Sequence, residues 1–152
     1  MFSIFIKTKG RHIMNGRTMT QIALGDSASF TKTVTEADVV LFAGISGDFN
    51  PAHVDAVSAE QGMFGKRIAH GMLSAGFIST VLGTQLPGPG TIYMGQELRF
   101  TKPVYMGDTV TATCTVVERI EEKNRLKLET VVVNQRGETV ITGFATVMPP
   151  KE

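Results

Sequence analysis

The chain has 152 residues, of which 42% are hydrophobic and 19% are charged, which is typical of one globular domain. Fifteen Lys and Arg against fourteen Asp and Glu give a net charge of +1. A protein that binds nucleic acid mainly by attraction to the phosphates has a marked excess of basic residues. The charge balance therefore excludes such a protein, but it does not exclude a local basic pocket for a phosphorylated ligand. The single cysteine, Cys114, excludes an intrachain disulfide and a cysteine-rich zinc site.

The N-terminal segment, residues 1–20, is polar and aperiodic, which predicts a poorly ordered extension. The domain itself is expected over residues 21–150. No apolar run approaches the ~20 residues that cross a bilayer, and the charge of the N-terminus follows its short apolar part, the reverse of a secretory signal. Together with the lone cysteine, these features predict a soluble, cytoplasmic protein without a membrane partner.

The first predicted elements are a strand over 28–34 and a helix over 36–46, with Thr35 as the N-cap of the helix. Apolar residues recur along this helix and predict a buried face. They are Val39, Val40, Leu41, Phe42 and Ile45.

A break in the helical pattern follows at residues 46–55, because Pro51 disfavours the helical backbone at the residue before it. We expect an irregular loop there, then a short helix over 56–63 and a second loop over 62–70.

The stretch over 71–86 has no charged residue in sixteen positions, which predicts a helix of about 24 Å. A helix without charge has no solvent face, so we expect other elements to wrap it on nearly every side. The sequence Pro-Gly-Pro-Gly at 87–90 ends it.

The second half of the chain is predicted to be all strand, with apolar and polar residues alternating between turn sequences. Four strands are expected in meander order, at 91–101, 109–121, 126–134 and 139–148. A buried helix followed by such strands predicts an α+β domain in which an antiparallel sheet curls around the helix.

Asp48 and His53 are the first candidates for chemistry. Their spacing places them on different faces of a regular helix or strand, and Pro51 excludes a regular helix between them. Cooperation therefore requires an irregular loop, where catalytic groups are often found. The same residues also fit an ordinary turn.

His70 and Gly71 begin the uncharged helix. Free amides at a helix N-terminus stabilise negative charge, and Gly71 lets a ligand approach closely. The alternative is a plain helix start with His70 as a half-buried cap. Asp48, His53 and His70 also match, less well, a metal site of two histidines and one carboxylate.

The stretch FAGISGDFNPAH at 42–53, continued by IAHGM at 68–72, closely resembles the hydratase-2 motif of MaoC-like, (R)-specific enoyl-CoA hydratases. The likeness extends over about residues 24–148. It implies the hot-dog fold, a curved antiparallel sheet around a long central helix. It also implies a homodimer with active sites near the subunit interface.

The reaction that this resemblance implies is the reversible hydration of a trans-2-enoyl-CoA to an (R)-3-hydroxyacyl-CoA. Asp48 and His53 would hold one water, and the Gly71 amide would bind the thioester oxygen. Asn50 would brace the loop, and Ser79 would support Asp48, unless it only packs the helix. No metal or redox cofactor is implied. Relatives serve polyhydroxyalkanoate synthesis or fatty-acid oxidation.

Three basic residues are the candidates for binding the CoA phosphates, namely Lys66, Arg67 and Lys102; the alternative is ordinary solvated surface. Other hot-dog activities also remain open, namely an acyl-carrier-protein dehydratase or a thioesterase. A third alternative is a non-catalytic acyl-CoA-binding module.

Overall fold

Five strands form one antiparallel sheet in the computed structural model, which describes residues 15–151. The strands are β1 (Ser27–Thr33), β2 (Ile92–Phe100), β3 (Thr109–Ile120), β4 (Arg125–Asn134) and β5 (Thr139–Met148). All five lie within one or two residues of the predicted segments. Their order across the sheet is β1-β3-β4-β5-β2.

Four α-helices accompany the sheet. They are α1 (Glu36–Ser46), α2 (Pro51–Val54), α3 (Ala56–Glu60) and α4 (Gly71–Thr84). The predicted N-cap of α1 is confirmed, because the Thr35 hydroxyl accepts from the Asp38 amide at 3.2 Å and the Asp38 carboxylate accepts from the Thr35 amide at 2.8 Å. Among the residues described, no helix has both the length and the apolar character to span a membrane.

The predicted four-strand meander is wrong for its first member. Strands β3, β4 and β5 are consecutive neighbours, but β2 pairs with β5 at one edge of the sheet and β1 takes the place beside β3. The alternation within a strand reports which side faces the core, not which strand lies next to it. The position of β2 in the sheet therefore could not be predicted from its sequence.

The core lies between α4 and the inner face of the sheet. Helix α4 contacts β1, β2, β3 and β4, and its buried positions include Phe77, Ile78 and Val81. The alternation in β3 is confirmed, since Val110 and Cys114 are fully buried. The long apolar helix thus fixes the position of its own N-terminus against the sheet.

The prediction that α4 has no solvent face is wrong for a single chain. Met72, Gly76, Ser79 and Gly83 are exposed, and their spacing puts them on one side of the helix. The sheet covers the opposite side, and residues 15–151 supply no second layer over these four positions, which we call the α4 stripe.

The predicted buried face of α1 is also largely wrong. Val39 and Ala43 are buried, whereas Val40 and Leu41 are exposed and Ile45 is 84% exposed. The helix is apolar on more than one side, and only one side reaches the core.

The predicted N-terminal extension lies mostly outside the described residues, which begin at residue 15. Its last residues have a defined place in the domain. The Gly16 amide donates to Pro89 O and the Arg17 amide donates to Pro87 O, each at 2.7 Å, and Met19 packs against the core. Residues 16, 17 and 19 therefore contact the domain, and the boundary at residue 21 stays a prediction.

Candidate active site

The loop that carries Asp48 begins where α1 ends. Gly47 caps the helix in a left-handed conformation, with φ 78°, and its amide donates to Ala43 O. This conformation favours glycine. The Asp48 carboxylate accepts from the Asn50 amide at 3.1 Å, so the side chain folds back over the loop while remaining exposed.

His53 lies in α2 and not in an irregular loop as predicted. Pro51 is the first residue of this short helix, a position where its missing N–H costs no hydrogen bond. The Asn50 side chain caps the helix by accepting from the Ala52 amide at 3.1 Å. Asn50 therefore caps the helix that carries His53, and its role in bracing the site stays a prediction.

The tautomer of His53 follows from its contact with Ile68. The Nδ1 atom of His53 lies 2.8 Å from the Ile68 carbonyl oxygen, and a carbonyl oxygen only accepts, so Nδ1 carries the proton. In the neutral ring, Nε2 then presents a lone pair. His53 is half-buried and lines a cavity of about 340 Å³.

The fold brings Asp48, His53 and His70 together. One carboxylate oxygen of Asp48 and one ring nitrogen of each histidine all lie within 4.8 Å of one another. A water that makes two hydrogen bonds of ordinary length bridges atoms up to ~5.6 Å apart. Asp48 and His53 are thus close enough to hold one water between them.

His70 is not the half-buried cap that the sequence suggested. It is 2% exposed and makes no side-chain cap bond at the start of α4. Its Nε2 donates to the Asp48 carbonyl oxygen at 2.9 Å, and its ring stacks on His53 with centroids 3.8 Å apart. No local pattern indicated this contact between residues 22 positions apart.

The stacking also bears on the metal-site alternative. Two imidazoles that chelate one ion direct their in-plane lone pairs at a common point. The rings of His53 and His70 are stacked with an angle of 30° between their planes, and one nitrogen of each ring already contacts a backbone carbonyl oxygen. This geometry suits acid–base chemistry better than metal ligation.

Gly71 opens α4 beside the cavity, and its amide belongs to the first turn, where helical N–H groups lack partners within the helix. An ideal Cβ built on Gly71 would lie 2.6 Å from Cε1 of Phe100. The position therefore has no room for a larger residue unless the phenyl ring moves. The cavity wall is mainly apolar and includes Phe64, Ile68, Phe100, Val104, Val140 and Ile141.

Ser79 lies on the α4 stripe, eight residues after Gly71, which is about 12 Å along the helix. Within the described chain, Ser79 and Asp48 share no hydrogen bond. The predicted support of Asp48 by Ser79 is therefore not made inside one chain.

The three basic candidates lie in two places. Lys102 lines the cavity and forms an ion pair with Glu138 at 2.7 Å. Lys66 and Arg67 line a second surface groove. There the Lys66 ammonium lies 4.3 Å from the centroid of the Tyr105 ring, and Arg67 pairs with Glu36 at 2.6 Å.

Cys114 has the structural role that its position in β3 predicts. It is a free, fully buried thiol, and burial raises its pKa to about 12. A thiol with such a pKa is a poor nucleophile at neutral pH.

One curved antiparallel sheet packed against a long central helix is the hot-dog fold, as predicted. Residues 20–139 match the family model of the MaoC like domain, and the chain belongs to this family. An (R)-specific enoyl-CoA hydratase of Rhodospirillum rubrum is 56% identical over 126 residues, covering 83% of this chain and 87% of that protein.

Two solved structures show the same fold. An R-hydratase from Pseudomonas aeruginosa in the unliganded form matches with a TM-score of 0.85 and 46% identity, covering 90% of this chain and 88% of that one. An (R)-hydratase from Aeromonas caviae, described as involved in PHA biosynthesis, matches with a TM-score of 0.82 and 43% identity, covering 85% of this chain and 98% of that one.

Proposed function

We propose that the protein is an (R)-specific enoyl-CoA hydratase, a hydro-lyase that reversibly adds water to trans-2-enoyl-CoA to give (R)-3-hydroxyacyl-CoA. The observation that carries this proposal is the placement of the Asp48 carboxylate and a His53 ring nitrogen within 4.8 Å, with His53 in the wall of an apolar cavity. The names of the relatives at 56% and 46% identity support the same reaction.

In the proposed mechanism, Asp48 and His53 hold one water. As its oxygen forms a bond to C3 and the C2–C3 π electrons move to C2, the pair accepts one proton from the water and delivers one proton to C2. The pair therefore ends the turnover with the number of protons it had at the start. Acid–base assistance of this kind contributes roughly 10²–10⁴-fold. The His53 Nδ1–H donates to Ile68 O, which leaves the Nε2 lone pair for the water.

The Gly71 amide is proposed to stabilise the thioester oxygen as it gains enolate charge. Its position in the first turn of α4 adds the positive end of the helix dipole. A donor aimed at such a developing charge is worth about 3–4 kcal/mol. The thioester itself acidifies C2, so neither a metal ion nor a redox cofactor enters this mechanism.

Lys66, Arg67 and Lys102 are proposed to bind the CoA phosphates. Lys102 lies at the cavity, and the other two border the neighbouring groove. Each already has a partner in the chain. Phosphate binding would therefore compete with those contacts and contribute less than a free cation would.

A homodimer is proposed as the active form. Strand β2 occupies one edge of the sheet and exposes Ile92 and Met94, and an exposed apolar edge strand favours pairing with a second chain. The α4 stripe offers a second surface for close helix contact. Ser79 lies on it, so any support of Asp48 by Ser79 would come from across the interface.

The setting of the enzyme is also proposed. A buried free thiol fits a reducing, cytoplasmic compartment. Supply of (R)-3-hydroxyacyl-CoA to polyhydroxyalkanoate synthesis would match the description of the Aeromonas relative, and a role in fatty-acid metabolism is the alternative.

The decisive experiment incubates the purified protein with crotonyl-CoA. Hydration removes the enoyl absorbance without releasing thiol, and chiral analysis of the product yields the (R) alcohol. Release of free thiol would instead show a thioesterase, and binding without turnover would show an acyl-CoA-binding module. Activity only on the crotonyl-acyl-carrier protein would identify a dehydratase of that class.

A further inference from the structure

We infer that His70 is a positioning residue of this centre, because one imidazole fixes the backbone of Asp48 and the ring of His53 at the same time. The inference rests on the proposed hydration reaction and adds to it a residue that acts through the acid–base pair. It is independent of the role of Gly71, which follows His70 in the chain.

The first contact holds the Asp48 loop. His70 Nε2 lies 2.9 Å from the Asp48 carbonyl oxygen, and this acceptor requires that Nε2 carry the proton. The loop on either side is exposed and follows Gly47, the C-cap of α1. The bond from His70 therefore anchors the loop to the start of α4, the element that is most firmly packed against the sheet.

The second contact holds the plane of the His53 ring. The bond from Nδ1 to Ile68 O fixes one edge of that ring but allows it to tilt about the bond. The ring of His70 stacks on one face of it, with centroids 3.8 Å apart. Phe42 supports His70 in turn, with ring centroids 4.9 Å apart. His70 is thus held between α1 and the ring that it positions.

Burial argues that the imidazole is present for positioning and not for stability. His70 is 2% exposed, and its Nδ1 is buried without a hydrogen-bond partner anywhere in the described chain. An unpartnered buried nitrogen is costly. A phenyl ring of similar size would avoid that cost and keep the packing, and it would lose only the bond to Asp48 O.

Three substitutions separate the two contacts. His70→Gln keeps an N–H donor for Asp48 O without the ring, His70→Phe keeps the ring without the donor, and His70→Ala removes both. We expect His70→Ala to lower kcat on crotonyl-CoA by about 10²-fold, because small misplacements of catalytic groups have effects of this size. KM should change much less than kcat, since only 2% of His70 is exposed at the cavity that it lines.

We expect His70→Gln and His70→Phe each to have a kcat about tenfold higher than that of His70→Ala, since each retains one of the two contacts. The melting temperature of His70→Phe should stay close to that of the wild type while its kcat is lower, because relief of the unpartnered Nδ1 offsets the lost bond to Asp48 O. The matched control is Thr84→Ala, which removes a side-chain bond to a backbone carbonyl at the far end of α4 and should leave kcat unchanged.

A kcat of His70→Phe equal to that of the wild type would overturn the inference. So would three variants that lose kcat and melting temperature in parallel, because this is the result of lost packing. Should His70→Ala fail to fold, the comparison of His70→Gln and His70→Phe with the wild type decides the same question.

A spectroscopic test does not depend on the reaction. Long-range ¹H–¹⁵N correlation spectra of the wild-type imidazoles should show the neutral ring of His70 protonated on Nε2 and that of His53 protonated on Nδ1. A His70 ring protonated on Nδ1 would overturn the inference. Absence of crotonyl-CoA hydration alongside the expected tautomers would refute the proposed function and leave the positioning contacts established.

Discussion

The carbonyl oxygen of Ile68 lies 2.8 Å from Nδ1 of His53, and the amide of the same residue donates to Ala52 O at 3.0 Å. Ile68 thus forms hydrogen bonds to α2 through both its backbone carbonyl and its backbone amide. The imidazole of His53 is therefore held by main chain on a rigid element, and its tautomer does not depend on any other side chain.

This relationship makes His53→Asn a clean test of the imidazole. Asparagine retains an N–H donor at the position of Nδ1 and removes Nε2, so the bond to Ile68 O and the fold should survive. We expect kcat for hydration of crotonyl-CoA to fall by roughly 10²–10⁴-fold. Turnover near the wild-type rate in the folded variant, with its secondary structure checked by circular dichroism, would remove His53 from the mechanism.

Asp48→Asn tests the carboxylate in the same way, and a loss of kcat of at least ~10²-fold is expected. Asp55→Asn is the matched control. The Asp55 side chain is another loop carboxylate that accepts from backbone amides, those of Val57 and Ser58, but it caps α3 and should leave kcat unchanged. Equal losses in both variants would point to a defect of the loop and not of the chemistry.

The Gly71 amide can be tested with one pair of double variants. Phe100→Ala removes the ring that a Cβ at Gly71 would meet at 2.6 Å, which makes room for both alanine and proline. Proline suits the first turn of a helix, and His70 already has the extended backbone, φ −59° and ψ 134°, that a residue before proline requires.

Gly71→Pro/Phe100→Ala and Gly71→Ala/Phe100→Ala therefore differ mainly in one amide hydrogen. We expect the proline variant to have a kcat lower by about 10²–10³-fold than the alanine variant, the usual effect of removing one oxyanion donor. Similar rates in the two would place the donor elsewhere. The single variant Gly71→Ala should raise KM, because its methyl group pushes Phe100 into the cavity.

Acid should weaken the domain through Asp108. This carboxyl is 6% exposed; burial raises its pKa, but hydrogen bonds from Gln135, Tyr105 and Arg136 outweigh burial and hold the pKa below its usual range. Because the pKa is lower in the folded state, the ionised carboxylate stabilises the fold at pH values above the unfolded-state pKa near 4. That stabilisation is lost as the pH falls through the folded-state value.

Asp108→Asn should therefore cost about 1–3 kcal/mol in the free energy of unfolding at pH 7 and reduce the loss of stability between pH 5 and pH 3. Urea unfolding across this range measures both effects. Glu122→Gln is the control, since the Glu122 carboxylate makes no hydrogen bond or ion pair in the described part of the chain. A difference between Asp108→Asn and wild type that is independent of pH would contradict the assignment.

The proposed dimer is testable at Gly76. A Cβ at this position meets nothing within 4 Å in the single chain, so Gly76→Arg should fold normally and yet block close contact along the α4 stripe. We expect analytical ultracentrifugation to show a dimer for the wild type and a monomer for this variant. Gly44→Arg, a glycine of α1 with equally open space, is the control and should remain dimeric.

The sequence predicted most of the fold because its signals are local. Thr35 and Asp38 specify the start of α1, the alternation of β3 specifies its inner face, and the uncharged stretch from Gly71 specifies the central helix. The place of β2 beside β5 was not predicted, because strand pairing is set by the whole sheet. The exposure of Ile45 and of the α4 stripe was not predicted. The lack of charge at a position does not show whether other parts of the same chain cover it.

The candidate site was predicted in part for the same reason. Asp48 and His53 lie in one continuous stretch whose local turns place them, and Gly71 was predicted as the first residue of the uncharged helix. The contact of His70 with Asp48 depends on how α1, α2 and α4 meet, so it required the structure. The ion pair between Lys102 and Glu138 links a loop to a hairpin. Neither segment alone predicts it.

The pairing of Gly16 and Arg17 with the loop after α4 bears on how the protein is expressed. Translation from Met19 would omit both amide donors, and the carbonyl oxygens of Pro87 and Pro89 would lose these hydrogen bonds. Such a product should therefore have a lower melting temperature than the full chain. Initiation at Met14 would retain both. Cloning designs that trim the gene for crystallisation should accordingly keep the codon for Gly16.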